Sequence, residues 1–165
     1  MMFARSFALV TVLEICGCAP PAIAPGPPRD VAKSAADAWS AAGHACEMKG
    51  DLAYCDMSAA GLPLIIGYAA GRRLLFGTVF DTESLGKPCA EVPFDRVMRP
   101  EWMTVKCDAI ALADGTPKTV LSIVGGGVLG ERGMSRDDLV RAASLFLQEA
   151  EGFLIRLKDF LPLAR

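Results

Sequence analysis

The chain has 165 residues, 52% of them hydrophobic, with 17 Lys and Arg against 19 Asp and Glu, and its mean hydropathy is +0.34. That describes one domain plus appendages, with enough apolar material for a core. The near balance of charge and a pI near 5.4 argue against the basic face that a nucleic-acid partner needs, and no run of like charge marks an interaction tail.

Residues 1–18 read as a secretory signal. Arg5 supplies the positive n-region and Phe7-Ala8-Leu9-Val10-Thr11-Val12-Leu13 a short apolar h-region. This run is well below the ~20 residues that span a bilayer. Ile15-Cys16-Gly17-Cys18 resembles a bacterial lipobox, with an aliphatic residue at −3, a small residue at −1 and the acylated cysteine at +1. Cys16 and the nearby Glu14 depart from the usual choices. The resemblance implies lipidation of Cys18 and a lipid-anchored, periplasm-facing place in the cell envelope. The alternatives are an ordinary cleaved signal, giving a secreted or periplasmic protein, and a start codon assigned too early. Residues 19–29 are rich in Pro, Ala and Gly and predict an extended tether that holds the domain off the membrane.

Residues 30–165 predict a single α+β domain. Asp30 is placed to cap a helix running to about Ala42, with Val31, Ala35, Ala38, Trp39 and Ala42 on one face. Trp39 on that stripe reads as an anchor against the sheet. The next stretch, Cys46 to Cys55, reads as a β-hairpin turning at Gly50-Asp51. A two-residue loop there sets Lys49 opposite Leu52, Met48 opposite Ala53, Glu47 opposite Tyr54 and Cys46 opposite Cys55. The cysteines then form a non-hydrogen-bonded pair with Cα atoms ~4.5 Å apart, within reach of a disulfide. Residues 56–61 are a bend of small residues. Residues 62–69 form an apolar strand in which Pro63 marks an edge or a bulge, Ala70-Gly71 turns the chain, and residues 72–80 form the next strand. Residues 45–80 are thus an antiparallel meander.

Residues 81–101 predict an irregular crossover with Pro88, Pro93, Pro100 and Cys89, and one helical turn over 95–98. Met103, Val105, Cys107 and Ala109 alternate with polar residues, placing Cys107 on the core face of a strand. Asp114-Gly115 is a hairpin turn and residues 118–124 return from it. Beyond the signal four cysteines remain, an even number in an exported chain, and four allow three connectivities. The hairpin register favours Cys46–Cys55, leaving Cys89–Cys107. A metal site is not expected: no C-x-x-C occurs and His44 is the only histidine.

Residues 125–130 match G-x-G-x-x-G in letters, but Glu131 to Met134 intervene before the helix. The dinucleotide fingerprint needs the helix to begin within the motif, so the stretch is expected to be a flexible strand-to-helix loop and no cofactor is expected. Ser135 caps the last helix, with Asp137 and Asp138 favourable to its dipole. Leu139, Ala143, Phe146, Ala150, Phe153, Leu157 and Phe160 form its apolar stripe, flanked by Leu147, Leu154 and Leu161. The stripe serves to cover the sheet, and its excess width is a candidate surface for a homodimer or a client protein.

The order helix, meander, crossover, hairpin, long helix resembles the YbjN family, whose fold is like that of type III secretion chaperones. The matching pieces are Gly61-Leu62-Pro63-Leu64, Phe94-Asp95-Arg96-Val97, the strand pair around Asp114-Gly115, the Gly125-Gly126 exit, and Met134 to Leu139 opening the last helix. The resemblance covers roughly residues 30–160 in architecture. It implies a binding or regulatory α+β domain with no catalytic residues to carry over. His44 would be the natural base for a hydrolase, but no G-x-S-x-G accompanies it. Arg72-Arg73 reads as a solvated strand end. The sequence therefore predicts a non-catalytic envelope lipoprotein whose domain binds a protein partner. The alternatives are a cytosolic chaperone-like regulator of the same fold and a small envelope hydrolase.

Overall fold

A computed structural model of the chain describes residues 23–57, 61–111 and 115–161. Residues 1–22 lie outside it, and with them Cys16, Cys18 and the expected signal. Among the described residues the chain forms helix α1 (Pro28–Ser40), strands β1 (Cys46–Lys49), β2 (Leu52–Met57), β3 (Pro63–Ala69), β4 (Arg73–Phe80), β5 (Thr104–Ala111) and β6 (Pro117–Val128), and helix α2 (Arg136–Phe160). The six strands make one antiparallel sheet in the order β1-β2-β3-β4-β6-β5. Both helices contact the sheet, α1 at β1, β2 and β3 and α2 at β4 and β6, and they also touch each other. The fold is α+β.

The folded domain includes residues ahead of 30, earlier than the proline content predicts. Ile23 is fully buried, and its backbone exchanges two hydrogen bonds with Met134, at 3.2 and 2.9 Å. Residues 23–29 of the expected tether therefore belong to the folded domain, which does not wait for residue 30, and residues 19–22 lie outside the described residues. Helix α1 starts at Pro28, with Pro27 as its N-cap residue. Proline is tolerated in the first helical position because its missing N–H would have had no partner there. Asp30 thus lies in the first turn, where its charge suits the helix dipole, instead of at the cap. The helix ends at Ser40, two residues before the expected Ala42, which is exposed, and Gly43 follows at φ 101°. Val31, Ala35, Ala38 and Trp39 are buried.

The first hairpin has the predicted register, Cys46↔Cys55 through Lys49↔Leu52. The Asp56 N–H donates to the Ala45 carbonyl (2.9 Å), so the adjoining cysteine pair falls at a non-hydrogen-bonded position. Pro63 sits at a bulge: the β2–β3 register shifts between Cys55 and Met57, opposite Leu64 and Pro63. Strand β2 runs to Met57, two residues into the bend expected over 56–61, and residues 58–60 lie outside the described residues. The crossover holds three short 3-10 turns, Thr82–Leu85, Cys89–Glu91 and Phe94–Arg96, in place of one turn over 95–98. Met103 and Val105 are buried and Cys107 half-buried, but Ala109 is exposed. It lies toward the end of β5 that leads into the hairpin loop. Asp114 lies outside the described residues; Gly115 has φ 82°, and the strands close at Ala111↔Pro117.

The largest departure is β6. It continues through Gly125, Gly126 and Gly127 to Val128, paired with Phe76, Leu75, Leu74 and Arg73 of β4. Glycine weakens an isolated strand, but a partner strand and close packing override that preference. Only the remainder of the G-x-G-x-x-G stretch is a loop, and α2 begins at Arg136 beyond it. Ser135 caps α2, accepting a hydrogen bond from the Asp138 N–H at 3.1 Å. Leu139, Ala143, Phe146, Ala150, Phe153 and Leu157 are each at most 1% exposed, and Leu147, Leu154 and Leu161 are buried beside them. Phe160 is half-buried. The width of the stripe is thus used within the chain, each large side chain contributing ~1.5–3 kcal/mol. The apolar side chains that α2 leaves exposed are Leu145 and Ile155, both off that stripe.

Candidate functional site: an apolar groove between β6 and α2

The glycines of β6 make the groove. In an antiparallel pair, residues opposite each other share a face. Gly125 and Gly127 therefore point to the same side as their partners Phe76 and Leu74, which are buried in the core. At Gly127 a Cβ would meet nothing within 4 Å. At Gly125 it would come within 2.6 Å of the Trp102 indole and 3.1 Å of the Phe146 ring. Trp102 thus packs closely over bare backbone. The missing side chains leave a cavity of about 230 Å³, lined among others by Leu74, Phe76, Trp102, Met134, Leu145 and Phe146. Trp102, Val128 and Leu145 are exposed at its rim. Nothing in the sequence patterning singles out Trp102, next to a proline-rich crossover, or Leu145, off the helix stripe. The legible signal was the glycine run, which reads as a loop until its pairing with β4 is known.

A larger crevice, about 590 Å³, lies beside the crossover between Thr82 and Thr119. Its Lys118 is engaged: Nζ lies 2.6 Å from Asp81 Oδ2 and 3.4 Å from Glu83 Oε2. The Lys118 hydrogen bond, with help from the Glu83 N–H, holds the Asp81 carboxyl below its ordinary 3.8. The bond to Asp81 likewise raises Lys118 above 10.5. A lowered carboxyl contributes stability above its unfolded value and loses it as pH falls through the folded one; a raised amine contributes below its unfolded value and loses it as pH rises through the folded one. The tie is therefore intact between about pH 4 and pH 10. Asp81→Asn is expected to melt below the parent at pH 7, with the gap closing as pH drops below 3.8, measured by thermal melts at pH 7, 4 and 2.

The cysteines singled out in the sequence form two bonds, Cys46–Cys55 and Cys89–Cys107, with Cα separations of 4.0 and 5.9 Å. They clamp opposite ends of the sheet and do not reach the groove. All four described cysteines are thus oxidised, which points to an oxidising, extracytoplasmic compartment. His44 stacks on Trp39, ring centroids 4.2 Å apart and planes 10° apart, and the pair lies away from the groove-lining residues. Arg72 adopts φ 59° in the β3–β4 turn and pairs with Glu131 at 3.5 Å. Among the described residues no group of three or more His, Cys, Asp or Glu side chains is placed to hold a metal. No helix among them is long and apolar enough to cross a membrane.

No protein-family model, curated protein or solved structure matches the chain. What the molecule does has to be read from the groove. Among the described residues that line it there is no pairing of nucleophile and base. What they offer is an aromatic plane, aliphatic side chains and a strip of exposed backbone, which is the chemistry of a binding surface.

Proposed function

We propose that the chain is a non-catalytic, extracytoplasmic protein-binding domain, tethered to the cell envelope by a lipid on Cys18. The observation that carries the binding reading is the groove: a rim of exposed Trp102, Val128 and Leu145 around an apolar cavity on a disulfide-clamped sheet. Exposed aromatic and aliphatic side chains ringing one concave site are enriched where proteins meet partners. The signal-like residues 1–18 and the lipobox resemblance support the anchor, and the disulfides are consistent with it. The order of elements, like that of the chaperone-like YbjN family, is in keeping with a binding role.

Two measurements test the reading. A photo-crosslinking residue in place of Leu145 is expected to give a discrete protein adduct in the native envelope, whereas the same residue in place of Ile155, exposed elsewhere on α2, gives none. Equal labelling at both positions, or none at either, would remove the groove as the binding site. For the anchor, the intact mass of detergent-extracted protein should show acylation at Cys18 and loss of residues 1–17; an unmodified Cys18 rules the lipid out.

A further inference from the structure

The groove lies along a strand edge that the sheet leaves open. Strand β6 has twelve residues, but β5 pairs only with Pro117 through Val124. On that side residues 125–128 have no strand beside them among the described residues. The pattern of the ladder says which backbone groups are left. The Leu129 N–H donates to the Arg72 carbonyl at 2.7 Å, so 72 and 129 form a hydrogen-bonded pair in the β4–β6 register. Hydrogen-bonded and non-hydrogen-bonded pairs alternate along an antiparallel ladder. Gly127 and Gly125 therefore bond to Leu74 and Phe76. The N–H and C=O of Gly126 and Val128 point the other way, toward the side that β5 has vacated. Gly126 and Val128 also line the groove. Two independent features thus meet at one place: four outward-facing backbone groups and an apolar cavity beside them.

Resting on the protein-binding reading above, we propose that the occupant is an extended peptide segment, added as a strand along residues 126–128. Its backbone bonds to Gly126 and Val128. A residue opposite Gly127 shares that glycine's face and so enters the groove, against Trp102, Leu145 and Phe146. The space fits one large side chain: a dry cavity of about 150 Å³ admits benzene, and this one is about 230 Å³. Main-chain bonds supply affinity and the pocket supplies selection, as in strand addition generally. Charge fixes the flank. Arg73 is the cross-strand neighbour of Val128, and Arg132 follows in the next loop. Among the described residues neither has a carboxylate partner, and Glu131 is engaged by Arg72. Glu101 adjoins Trp102 at the other end. The segment therefore carries an acidic residue at its Val128 end and an aromatic or large aliphatic residue in the groove.

Amide exchange on the full-length processed protein tests the edge before any peptide is added. The Gly126 and Val128 amides are expected to exchange fast while Gly125 and Gly127 are protected. If all four are protected, the chain covers its own edge, through residues N-terminal to Ile23 or otherwise, and the proposal fails. The peptide probe is a panel of six-residue peptides with threonine at alternate positions, phenylalanine or leucine at the groove position and a terminal aspartate. Binding is expected to slow the Gly126 and Val128 amides roughly tenfold or more. Gly127→Val, whose Cβ would meet no atom within 4 Å and whose two methyls occupy part of the groove, should weaken binding roughly tenfold or more with little change in melting temperature. Changing the terminal aspartate to lysine should cost roughly two- to fivefold. Peptide-induced shifts confined to the opposite face, at Leu52 and Tyr54, would overturn strand addition and leave the protein-binding reading standing. No shift anywhere across the panel overturns strand addition as well, with the Leu145 crosslink deciding the broader reading separately.

Discussion

Removing the Cys89–Cys107 bond is expected to lower the melting temperature by roughly 10 °C. The bond closes a loop of 18 residues and the Cys46–Cys55 bond one of 9. Loop-entropy estimates assign about 3 kcal/mol to the first and about 2.5 kcal/mol to the second. Together that approaches the low end of the ~5–15 kcal/mol that stabilises a typical domain. Full reduction under native conditions should therefore leave a molecule at the edge of unfolding. The double variant Cys89→Ala/Cys107→Ala should lose more than Cys46→Ala/Cys55→Ala. Cys89 is itself buried in the core cluster, and its bond ties a crossover with no long helix or strand of its own to β5. The hairpin end beside Cys46 and Cys55 is also held by the Asp56–Ala45 backbone hydrogen bond. Melts of the two variants, with and without reductant, decide it. If reduction leaves the parent unchanged, the bonds are not structural, and the inference from them to an oxidising compartment goes too.

Structure is legible in the sequence where one local rule acts alone. Gly50-Asp51 sets a two-residue loop, and that loop alone determines which residue faces Cys46. The α2 stripe is set by 3.6-residue periodicity over 25 residues, long enough for the pattern to average out exceptions. Structure is not legible where two rules compete and distant chain decides the winner. Proline content argued for a tether through 29, but Ile23 found a backbone partner in Met134 and a place in the core. Three glycines argued for a loop, but β4 offered each of them a partner. The groove follows from this second competition. Its walls come from a crossover, a strand and a helix, and Trp102, Gly127 and Leu145 share no spacing that a pattern search would join. What was legible was each wall's own composition. Their convergence, and the strand edge left open by the short β5, exist only once the register of β4 and β6 is fixed.

That register makes a sharp prediction for the glycines themselves. Gly126→Ala is expected to cost about 3 kcal/mol or more. Its φ is 155°, and a Cβ there would lie 2.2 Å from the Leu74 carbonyl oxygen and 3.0 Å from the Leu75 Cα. Those are backbone atoms of the paired strand, so relief requires moving β4 away from β6, and the centre of the sheet moves with it. Gly125→Ala meets the Trp102 ring instead, and more loosely the Phe146 ring at 3.1 Å. The indole sits at the exposed rim and can swing aside, so the cost is smaller, and the swing widens the groove. Gly127→Ala meets nothing, and it should be neutral or stabilising by about 0.4–1 kcal/mol through the lower entropy of the unfolded chain. Urea melts of the three variants should therefore rank 126 as far the worst, then 125, then 127. A one-residue slip of a strand exchanges its two faces. A finding that 127 is intolerant and 126 permissive would thus place the slip in the β4–β6 pairing. It would take with it both the open groove and the outward-facing backbone groups of Gly126 and Val128.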